Sequence, residues 1–279
     1  MTVPASNYIH GTTPAEQVRL SLMNEILNPA SLRELTPARG ERFLDVGCGL
    51  AQLTRAIGRS TGIPVVAIDR SGQQLAEARR LAAGAGEEHL VDLRQGDAYD
   101  LPLRSEEWAA FDAAHARFIL EHVRDPLAVV RQLVRAVRPG GRIILEDDDH
   151  DLLRLFPEPP GVASIWRAYW RTYDRNQNDP FIGRRLPSLL HQAGARPRRA
   201  TWLFFGACAG SPLLGTCVDN LAGIFEGARD AILATGVATD LFDSALAALG
   251  DWKKRPDAFF GYAAPWVEGV RVADPEAPG

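Results

Sequence analysis

The sequence predicts an α/β fold with an open, mostly parallel sheet and helices on both faces. Short apolar segments typical of buried strands alternate with segments whose apolar residues recur at helical spacing. The first strand runs into a two-glycine loop at Leu44–Leu50, and a helical pattern follows immediately. A second strand, at 64–69, ends in an acid. Repeated strand–loop–helix units of this kind place a ligand at the carboxyl ends of the strands.

The elements can be assigned in chain order from periodicity and capping residues. Residues 14–35 carry a helical pattern before the first strand, and residues 50–60 form the helix after the glycine loop. Ser71 caps a third helix, which ends near Gly84 and Gly86. Strands are expected next at 91–95 and 111–116. A helix then starts with Asp125-Pro126 and stops at Pro139-Gly140-Gly141. The remaining elements are a strand at 142–146, a helix at 184–194, and last strands at 200–208 and 258–270.

The glycine loop predicts a nucleotide-type binding site, because glycine lets the backbone approach a ligand closely. Asp45 stands at the mouth of the loop, two residues before Gly47, and Gly49 completes the Gly-x-Gly turn. A carboxylate there repels a pyrophosphate but suits a ligand with a positive amine and a positive sulfur, such as S-adenosylmethionine (SAM). Gln52 occupies the place of the third glycine of a dinucleotide loop. The loop therefore favours SAM over NAD or FAD.

Two further acids end the next two strands. Asp69 lies at the separation from the glycine loop at which an acid meets the ribose hydroxyls of an adenosine ligand. Asp97 ends the third strand and can accept a hydrogen bond from an adenine amino group. The alternatives are a polar strand end for Asp69 and a turn-capping aspartate for Asp97.

In these motifs the chain resembles the class I SAM-dependent methyltransferases, and within them the small-molecule methyltransferases of ubiquinone and menaquinone synthesis. The resemblance implies a Rossmann-like, seven-stranded sheet with SAM across the carboxyl ends of strands one to four. The matching stretches are Leu44–Leu50, Val66–Ser71, Gln95–Leu103, Phe111–Pro126 and Ala136–Asp148.

The resemblance also implies roles for single residues around the cofactor. It places Asp45, Gly47 and Gly49 at the methionine part of SAM, Asp69 at the ribose, and Asp97 with Ala98 at the adenine. Similar enzymes close an N-terminal segment over SAM, so residues 1–20 are a candidate lid. The expected cofactor-binding set is completed by Tyr8, Arg70 and Arg117.

The candidate catalytic residues follow strands four and five. Methyl transfer is an in-line displacement on an activated sulfonium, and positioning can supply roughly 7–11 kcal/mol of its barrier. A general base is needed only for an acceptor that must lose a proton. His115 is the first candidate base and His122 the second, with helix packing as the alternative for His122. Asp148 is a candidate for orienting the acceptor, unless the acidic run is merely solvated.

A metal site is not expected. An ion bound by Asp147, Asp148 or Asp149, as in some catechol methyltransferases, is the less favoured alternative.

Two stretches exceed what the core fold needs and should form a cap over the active edge of the sheet. Aromatic residues of the cap and of a late strand are candidates for an acceptor-pocket wall, although they could also pack on the core: Trp166, Tyr169, Trp170, Tyr173, Trp202, Phe204 and Phe205. The expected organisation is an N-terminal helical lid at 1–40, a SAM-binding core at 41–150, a cap insertion at 151–182, more core at 183–208, a helical cap insertion at 209–257, and a last core strand with a tail at 258–279.

Composition excludes several classes of function. The chain has 279 residues, of which 46% are hydrophobic, and its formal net charge of −4 argues against a large nucleic-acid footprint. The end of strand four lacks the Asp/Asn-Pro-Pro-aromatic motif of adenine N-methyltransferases and the Pro-Cys of cytosine C5 enzymes. No signal pattern or membrane span is found. We expect a cytoplasmic enzyme with a small-molecule acceptor and neither nucleic acid nor membrane as partner; a homodimer is compatible with the chain.

The expected reaction is methyl transfer from SAM to an oxygen, nitrogen or carbon of an aromatic or lipophilic metabolite, with S-adenosylhomocysteine as product. One alternative is a protein that uses bound SAM without transferring its methyl group, as a cyclase or a binding protein. An NAD-linked oxidoreductase is a less favoured alternative.

Overall fold

The computed structural model describes residues 14–273. In that part of the chain a sheet of eight strands forms the centre. The strands are β1 (Phe43–Val46), β2 (Val65–Asp69), β3 (Val91–Gln95), β4 (Phe111–Arg117), β5 (Val137–Glu146), β6 (Arg154–Phe156), β7 (Ala195–Cys208) and β8 (Phe259–Arg271). Their order is β3-β2-β1-β4-β5-β8-β6, with β7 also paired to β8. Strands β1 to β5 are parallel, whereas β8 is antiparallel to β5, β6 and β7.

Helices surround the sheet. They are α1 (Pro14–Leu35), α2 (Gln52–Thr61), α3 (Gly72–Ala85), α4 (Pro126–Ala136), α5 (Val162–Thr172), α6 (Leu186–Gln192), α7 (Pro212–Gly227), α8 (Arg229–Leu233) and α9 (Thr239–Trp252). In the part of the chain that is described, no helix is long and apolar enough to cross a membrane.

Capping residues explain where several helices begin and end. The Ser71 side chain accepts a hydrogen bond from the Gln74 backbone N–H at 3.2 Å, and α3 ends at Gly86, whose φ is +69°. Asp125 accepts from the Ala128 N–H at 3.0 Å, with Pro126 in the first turn of α4. Helix α1 and strand β3 begin and end at the residues expected from the sequence.

Two details of the expected sheet are wrong. The sheet has eight strands rather than seven, because β6, inside the predicted 151–182 insertion, pairs with the start of β8. Helix α4 stops at Ala136, so the Pro139-Gly140-Gly141 segment lies within β5 instead of ending the helix. Val137 pairs with Phe111 and Arg142 with Ala113, so residues 138–141 form a bulge on β5.

The apolar side chains fall into separate clusters. One lies between the sheet and α4 and α6, and includes Leu44, Leu133 and Leu145. Another joins α5, α7, α8 and α9 to the ends of β7 and β8. Its buried members come mostly from the two stretches expected to form a cap. These two stretches thus share an apolar cluster separate from the one between the sheet and helices α4 and α6.

Candidate active site

A cavity of about 280 Å³ lies at the carboxyl ends of β1, β2 and β4. The glycine loop after β1 forms one wall, and the segments after β2 and β3 form the next two. Of the residues expected around the cofactor, those that line this cavity are Gly47, Gly49, Asp69, Arg70, Asp97, Ala98 and Arg117. Strand-end residues of this region therefore converge as the parallel sheet requires.

The glycine loop is held against β2 by backbone hydrogen bonds. The N–H groups of Gly47 and Cys48 both donate to the Ile68 carbonyl, at 2.8 and 3.1 Å. Gly47 has a φ of +78°, and a Cβ there would come within 3.0 Å of the Ile119 side chain. A side chain at this position would therefore be strained both by the backbone and by a neighbour.

Asp69 is anchored by two backbone donors at the cavity wall. Its Oδ2 accepts from the Gly49 N–H and its Oδ1 from the Ser71 N–H, both at 2.8 Å. Burial raises the pKa of this carboxyl, although both hydrogen bonds oppose the rise. These contacts fix the carboxylate between the glycine loop and the start of α3, where vicinal hydroxyls of a ligand could reach it.

Asp97 supports the neighbouring wall. Its Oδ1 accepts from the Tyr99 N–H at 3.0 Å, which is the geometry of an Asx turn. The turn-capping alternative for Asp97 is therefore observed, and the same turn brings Asp97 and Ala98 to the cavity.

Arg117 fastens α1 to the end of β4. Its guanidinium donates to the side chains of Asn24, Asn28 and Ser31, at 2.7, 2.8 and 3.1 Å. Ser31 in turn donates to both carboxylate oxygens of the buried Glu146. The amino-terminal part of α1 is thereby held over the cavity, where Leu20 and Asn24 line it.

Asp45 and His115 lie elsewhere than expected. They are register partners on β1 and β4, and His115 Nδ1 is 3.0 Å from Asp45 Oδ1. Thr54 donates to the other Asp45 oxygen at 2.5 Å. Burial raises the pKa of Asp45, but His115 and Thr54 outweigh it, so the net shift is downward. Neither residue lines this cavity or the second, smaller cavity beside it.

The assignment of His115 as the first candidate base is therefore corrected. Its side chain is 1% exposed and faces α2 rather than a ligand space, because alternate residues of β4 point to opposite faces. Asp45 likewise fixes β1 to α2 instead of bordering the cavity. Tyr8 lies outside the described residues.

A second cavity, of about 150 Å³, adjoins the first. Leu20, Phe118 and His122 line both, so these three side chains stand at the junction. Aromatic rings dominate the wall of the second cavity: Phe118, Trp166, Tyr169, Tyr173, Phe205, Phe260 and Tyr262. Helices α1 and α7 close the opposite side through Met23, Leu27, Leu221 and Ile224.

Only some of the aromatic residues expected in a pocket wall line the second cavity. Trp166, Tyr169, Tyr173 and Phe205 line the second cavity. Trp170 packs edge-on against Phe181 instead, and Trp202 and Phe204 are 65% and 62% exposed on β7. Arg175 is exposed and donates to the Ala234 carbonyl, away from the cavity. A strand alternates its faces, so only Phe205 of this β7 group can point inward.

Four polar side chains form an acid–imidazole group in the wall of the second cavity. His122 Nε2 lies 3.4 Å from Glu121 Oε1, and His150 Nε2 lies 3.3 Å from Glu121 Oε2. His150 Nε2 is also 3.7 Å from Asp148 Oδ2. Tyr173 donates to Glu121 at 2.9 Å and Tyr262 to Asp148 at 2.7 Å.

Burial and charge act against each other in this group. Burial by itself lowers the pKa of His150, but Asp148 and Glu121 more than compensate and raise it to about 9. For Glu121 burial raises the pKa, and the two histidines with Tyr173 bring it well below its ordinary value. Burial and the Glu121 charge leave the pKa of Asp148 raised. At neutral pH His150 is therefore an imidazolium beside an ionised Glu121.

Sequence reasoning found Asp148 and His122 but missed Glu121 and His150. Glu121 directly precedes His122, and His150 follows the acidic run after β5, so both residues are close in sequence to residues that were already candidates. The spatial signal was absent, because only the fold brings the segments after β4 and β5 to one place. The three acids that could have shared a metal ion diverge: Asp147 accepts from the backbone of Ile119 and Leu120, and Asp149 pairs with Arg184.

Comparison with known proteins decides the family. A family model described as a methyltransferase domain matches residues 44–145. The chain is 31% identical over 200 residues to the O-methyltransferase cnsE of Penicillium expansum, which covers 70% of this chain and 67% of that protein. The chain belongs to the class I SAM-dependent methyltransferases.

Other relatives are matched over shorter stretches. A ubiquinone biosynthesis O-methyltransferase of Xanthomonas axonopodis pv. citri is 37% identical over 123 residues, 43% of this chain and 49% of that one. The chain spans 43%, 64% and 65% of three further curated relatives. Among solved structures, the [4+2]-cyclase SpnF has a TM-score of 0.54 at 22% identity, with 92% of this chain and 82% of that chain covered, which shows a shared fold.

The methyltransferase match and the two cavities divide the chain in the same way. The matched range runs from β1 to β5 and contains the walls of the first cavity apart from Leu20 and Asn24 of α1, together with Glu121 and His122. Asp148, His150 and the residues of α5, α7 and β8 lie beyond it. The second cavity is thus built largely by the part of this methyltransferase that the family model does not match.

Proposed function

We propose that this protein transfers the methyl group of SAM to a hydroxyl group of a small aromatic or lipophilic metabolite. The observation that carries the proposal is the pair of adjoining cavities, one formed by the glycine loop and strand-end acids, the other by aromatic rings and an acid–imidazole group. The side chain that meets both cavities and can accept a proton is His122.

The first cavity fits SAM by the chemistry of its donors and acceptors. Asp69 would hold the ribose hydroxyls, the turn at Asp97 and Ala98 would meet the adenine, and the loop at Gly47 and Gly49 would admit the methionine part. The strain and close contact that a side chain at Gly47 would meet support a tight approach of ligand to backbone. Bound SAM supplies a methyl group already activated on a sulfonium.

The second cavity suits a flat or apolar acceptor. Aromatic walls bind such a molecule mainly by burial and stacking, and a few polar groups suffice to orient it. Glu121 beside Nε2 favours the His122 tautomer with its proton on that nitrogen, which leaves the basic lone pair on Nδ1; this atom is buried in the structure, so the side chains around it must move when an acceptor enters. His122 can then remove the hydroxyl proton as the oxygen attacks the methyl group. O-methyltransferases among the relatives support a hydroxyl acceptor.

We further propose that the cap and α1 make the acceptor site. The stretch 151–182 provides Trp166, Tyr169 and Tyr173 of the aromatic wall, the stretch 209–257 provides the α7 wall, and Leu20 of α1 borders both cavities. A lid formed by residues 1–20 would end at Leu20, which borders both cavities.

The test is isotope transfer. The full chain is incubated with methyl-labelled SAM and a panel of phenols, hydroquinones, aliphatic alcohols and amines, and labelled products are identified by mass spectrometry. We expect labelled methyl ethers from phenolic or hydroquinone acceptors, and at least a hundredfold lower rate for His122→Asn. Binding of SAH without transfer to any acceptor would favour the non-transferring alternative, and label on nitrogen alone would refute the hydroxyl assignment.

A further inference from the structure

One buried carboxylate in this structure lies between two imidazole rings. Glu121 Oε1 faces His122 Nε2 at 3.4 Å, and Glu121 Oε2 faces His150 Nε2 at 3.3 Å. Asp148 Oδ2 lies 3.7 Å from the same His150 nitrogen, Nε2. Glu121 thus links His122 to His150, and both carboxylates face one nitrogen of His150; we call the four groups His122, Glu121, His150 and Asp148 the imidazole–carboxylate chain.

The imidazole–carboxylate chain starts at the junction of the two cavities and ends at Asp148, in the wall of the second cavity. His122 borders both cavities, whereas Glu121, His150 and Asp148 line only the second. Glu121 and His150 are 3% and 4% exposed. A carboxylate buried to this degree stays ionised only with a fixed cation or several donors nearby.

Aromatic rings enclose the His150 ring. Its centroid lies 5.0 Å from that of Trp166, 5.5 Å from that of Tyr169 and 5.3 Å from that of Tyr173. The Trp166 indole N–H donates to the His150 carbonyl at 2.9 Å, which fixes the backbone as well. Ring faces attract a cation, so this enclosure favours an imidazolium over a neutral ring.

The remaining groups that face the chain either hold the acids or balance charge. Tyr173 donates its one hydroxyl proton to Glu121 and therefore accepts from Tyr169, and Tyr262 donates to Asp148. Burial raises the pKa of the neighbouring Asp147 well above its ordinary value, and Arg19 of α1 lines the same cavity. Among the described residues, His150 Nδ1 has no hydrogen-bond partner. The two carboxylates and the rings are therefore what stabilises its charge.

We propose that His150 is a positioning residue whose fixed positive charge holds Glu121 ionised and oriented, so that Glu121 sets the tautomer of the base His122. This role rests on the proposed function, because it concerns the base of that reaction. In the step itself, the acceptor oxygen forms a bond to the methyl carbon as the carbon–sulfur bond breaks, and that electron pair stays on sulfur. The hydroxyl proton passes to His122 Nδ1, and the new imidazolium faces the Glu121 carboxylate. The proton leaves to solvent after product release.

The first arm of the test needs no acceptor. Side-chain nitrogen shifts of the histidines are recorded by NMR on the full chain labelled at histidine nitrogen, with assignments from His122→Asn and His150→Asn. We expect His150 to be doubly protonated at neutral pH and His122 to carry its proton on Nε2. In His150→Asn the His122 tautomers should become mixed. The exposed His191 provides the control, because His191→Asn should leave both patterns unchanged.

Glu121→Gln keeps the shape of the group and provides the second variant. His150 should then lose its proton at a pH at least one unit lower, and His122 should lose its tautomer preference. His150→Lys, which restores a cation, should bring the His122 preference back, an effect that a purely space-filling role of the ring would not produce. Unchanged His122 tautomers in both His150→Asn and Glu121→Gln would overturn the proposal. Stoichiometric Mn²⁺ binding that is lost in Glu121→Gln would also overturn it, because the group would then hold a metal ion.

The second arm uses an acceptor found in the isotope panel. His150→Asn should lower kcat at least tenfold and shift the pH profile of kcat, with KM and SAH affinity changed less than threefold. An unaltered pH profile would refute the positioning role. Because the NMR arm is independent of turnover, absence of any methyl transfer would count against the proposed function and leave the His150 assignment to be decided by the spectra.

Discussion

Single residues of the first cavity derive their roles from backbone contacts that the fold supplies. Asp69 is the clearest case, since its two oxygens are held by donors from two different loops. Asp45 is also an aspartate, two residues before Gly47, but its two carboxylate oxygens contact Thr54 and His115 instead of a ligand space. The strand position and the face of the strand together decide which acid meets a ligand.

Asp69→Ala tests the ribose contact. The loss of charge-assisted hydrogen bonds should weaken SAM binding by about tenfold or more, which corresponds to roughly 1.5–3 kcal/mol. The affinity is measured by calorimetry with SAH, and circular dichroism checks the fold. Asp240→Ala, at an exposed position of α9, is the matched control. Equal SAH affinity in both variants would contradict the assignment.

His150 should make stability depend on pH on the alkaline side. Its pKa is raised from 6.5 to about 9 in the folded chain, so the folded state binds this proton more tightly than the unfolded state. The contribution, on the order of 3 kcal/mol, is complete below pH 6.5 and is lost as the pH rises towards 9. Urea unfolding at both pH values should show this loss, and His150→Asn should flatten it. His191→Asn should lose stability with pH as the wild type does. If the wild type shows no loss of unfolding free energy between the two pH values, His150 is not an imidazolium in the folded chain.

Among the elements, α1 connects the sheet to both cavities. It carries residues of both cavity walls and is fastened by the guanidinium of Arg117. Val18 and Leu22 on its other side are 62% and 46% exposed, so burial of apolar surface holds this end of the helix only in part. Polar contacts therefore carry much of its attachment.

Arg117→Met should loosen α1. The variant removes three hydrogen bonds to α1 and leaves the buried Glu146 without its nearest cation. We expect a loss of about 3 kcal/mol or more in the free energy of unfolding, together with weaker SAH binding. Arg131→Met, on the exposed face of α4, should stay within about 0.5 kcal/mol of the wild type. A similar small effect for both variants would show that Arg117 does not fasten the helix.

Helix α7 offers a test that separates the two cavities. Ile224 lines the second cavity and is absent from the wall of the first. Ile224→Trp should fill part of the acceptor space, raise KM for an aromatic acceptor at least tenfold, and leave SAH affinity within about twofold. Leu241→Trp on α9, at a position 39% exposed, controls for the added ring. A change in SAH affinity with no change in KM would reverse the assignment of the cavities.

At the scale of the whole molecule, the cofactor should stabilise the fold as a unit. The first cavity is bounded by residues after β1, β2, β3 and β4, so a ligand there ties together elements far apart in the chain. SAH at one hundred times its Kd should raise the free energy of unfolding by about 2.7 kcal/mol. NAD at the same concentration should leave it unchanged. Both effects are measured by thermal or urea unfolding. Stabilisation by NAD and not by SAH would restore the oxidoreductase alternative.

The sequence by itself determined the alternating elements, the glycine loop and the acids at Asp69 and Asp97. These features are local, because periodicity, capping residues and strand-end positions act over a few residues. The stretches 151–182 and 209–257 could also be recognised as longer than the predicted sheet requires, and their role as a cap stays a prediction. What local patterns could not provide was the face on which a residue of β4 lies or the small strand β6, whose existence depends on pairing with β8.

Only the tertiary structure decided which acids and histidines act together. His115, nearest to the strand end in sequence, is turned towards α2, whereas Glu121, His122, Asp148 and His150 meet from the segments after β4 and β5. Tyr262, which holds Asp148, comes from a strand 114 residues further along the chain. Interactions of this kind depend on how parallel strands align their carboxyl ends and on how the cap folds back over them, so no spacing within one segment could have revealed them.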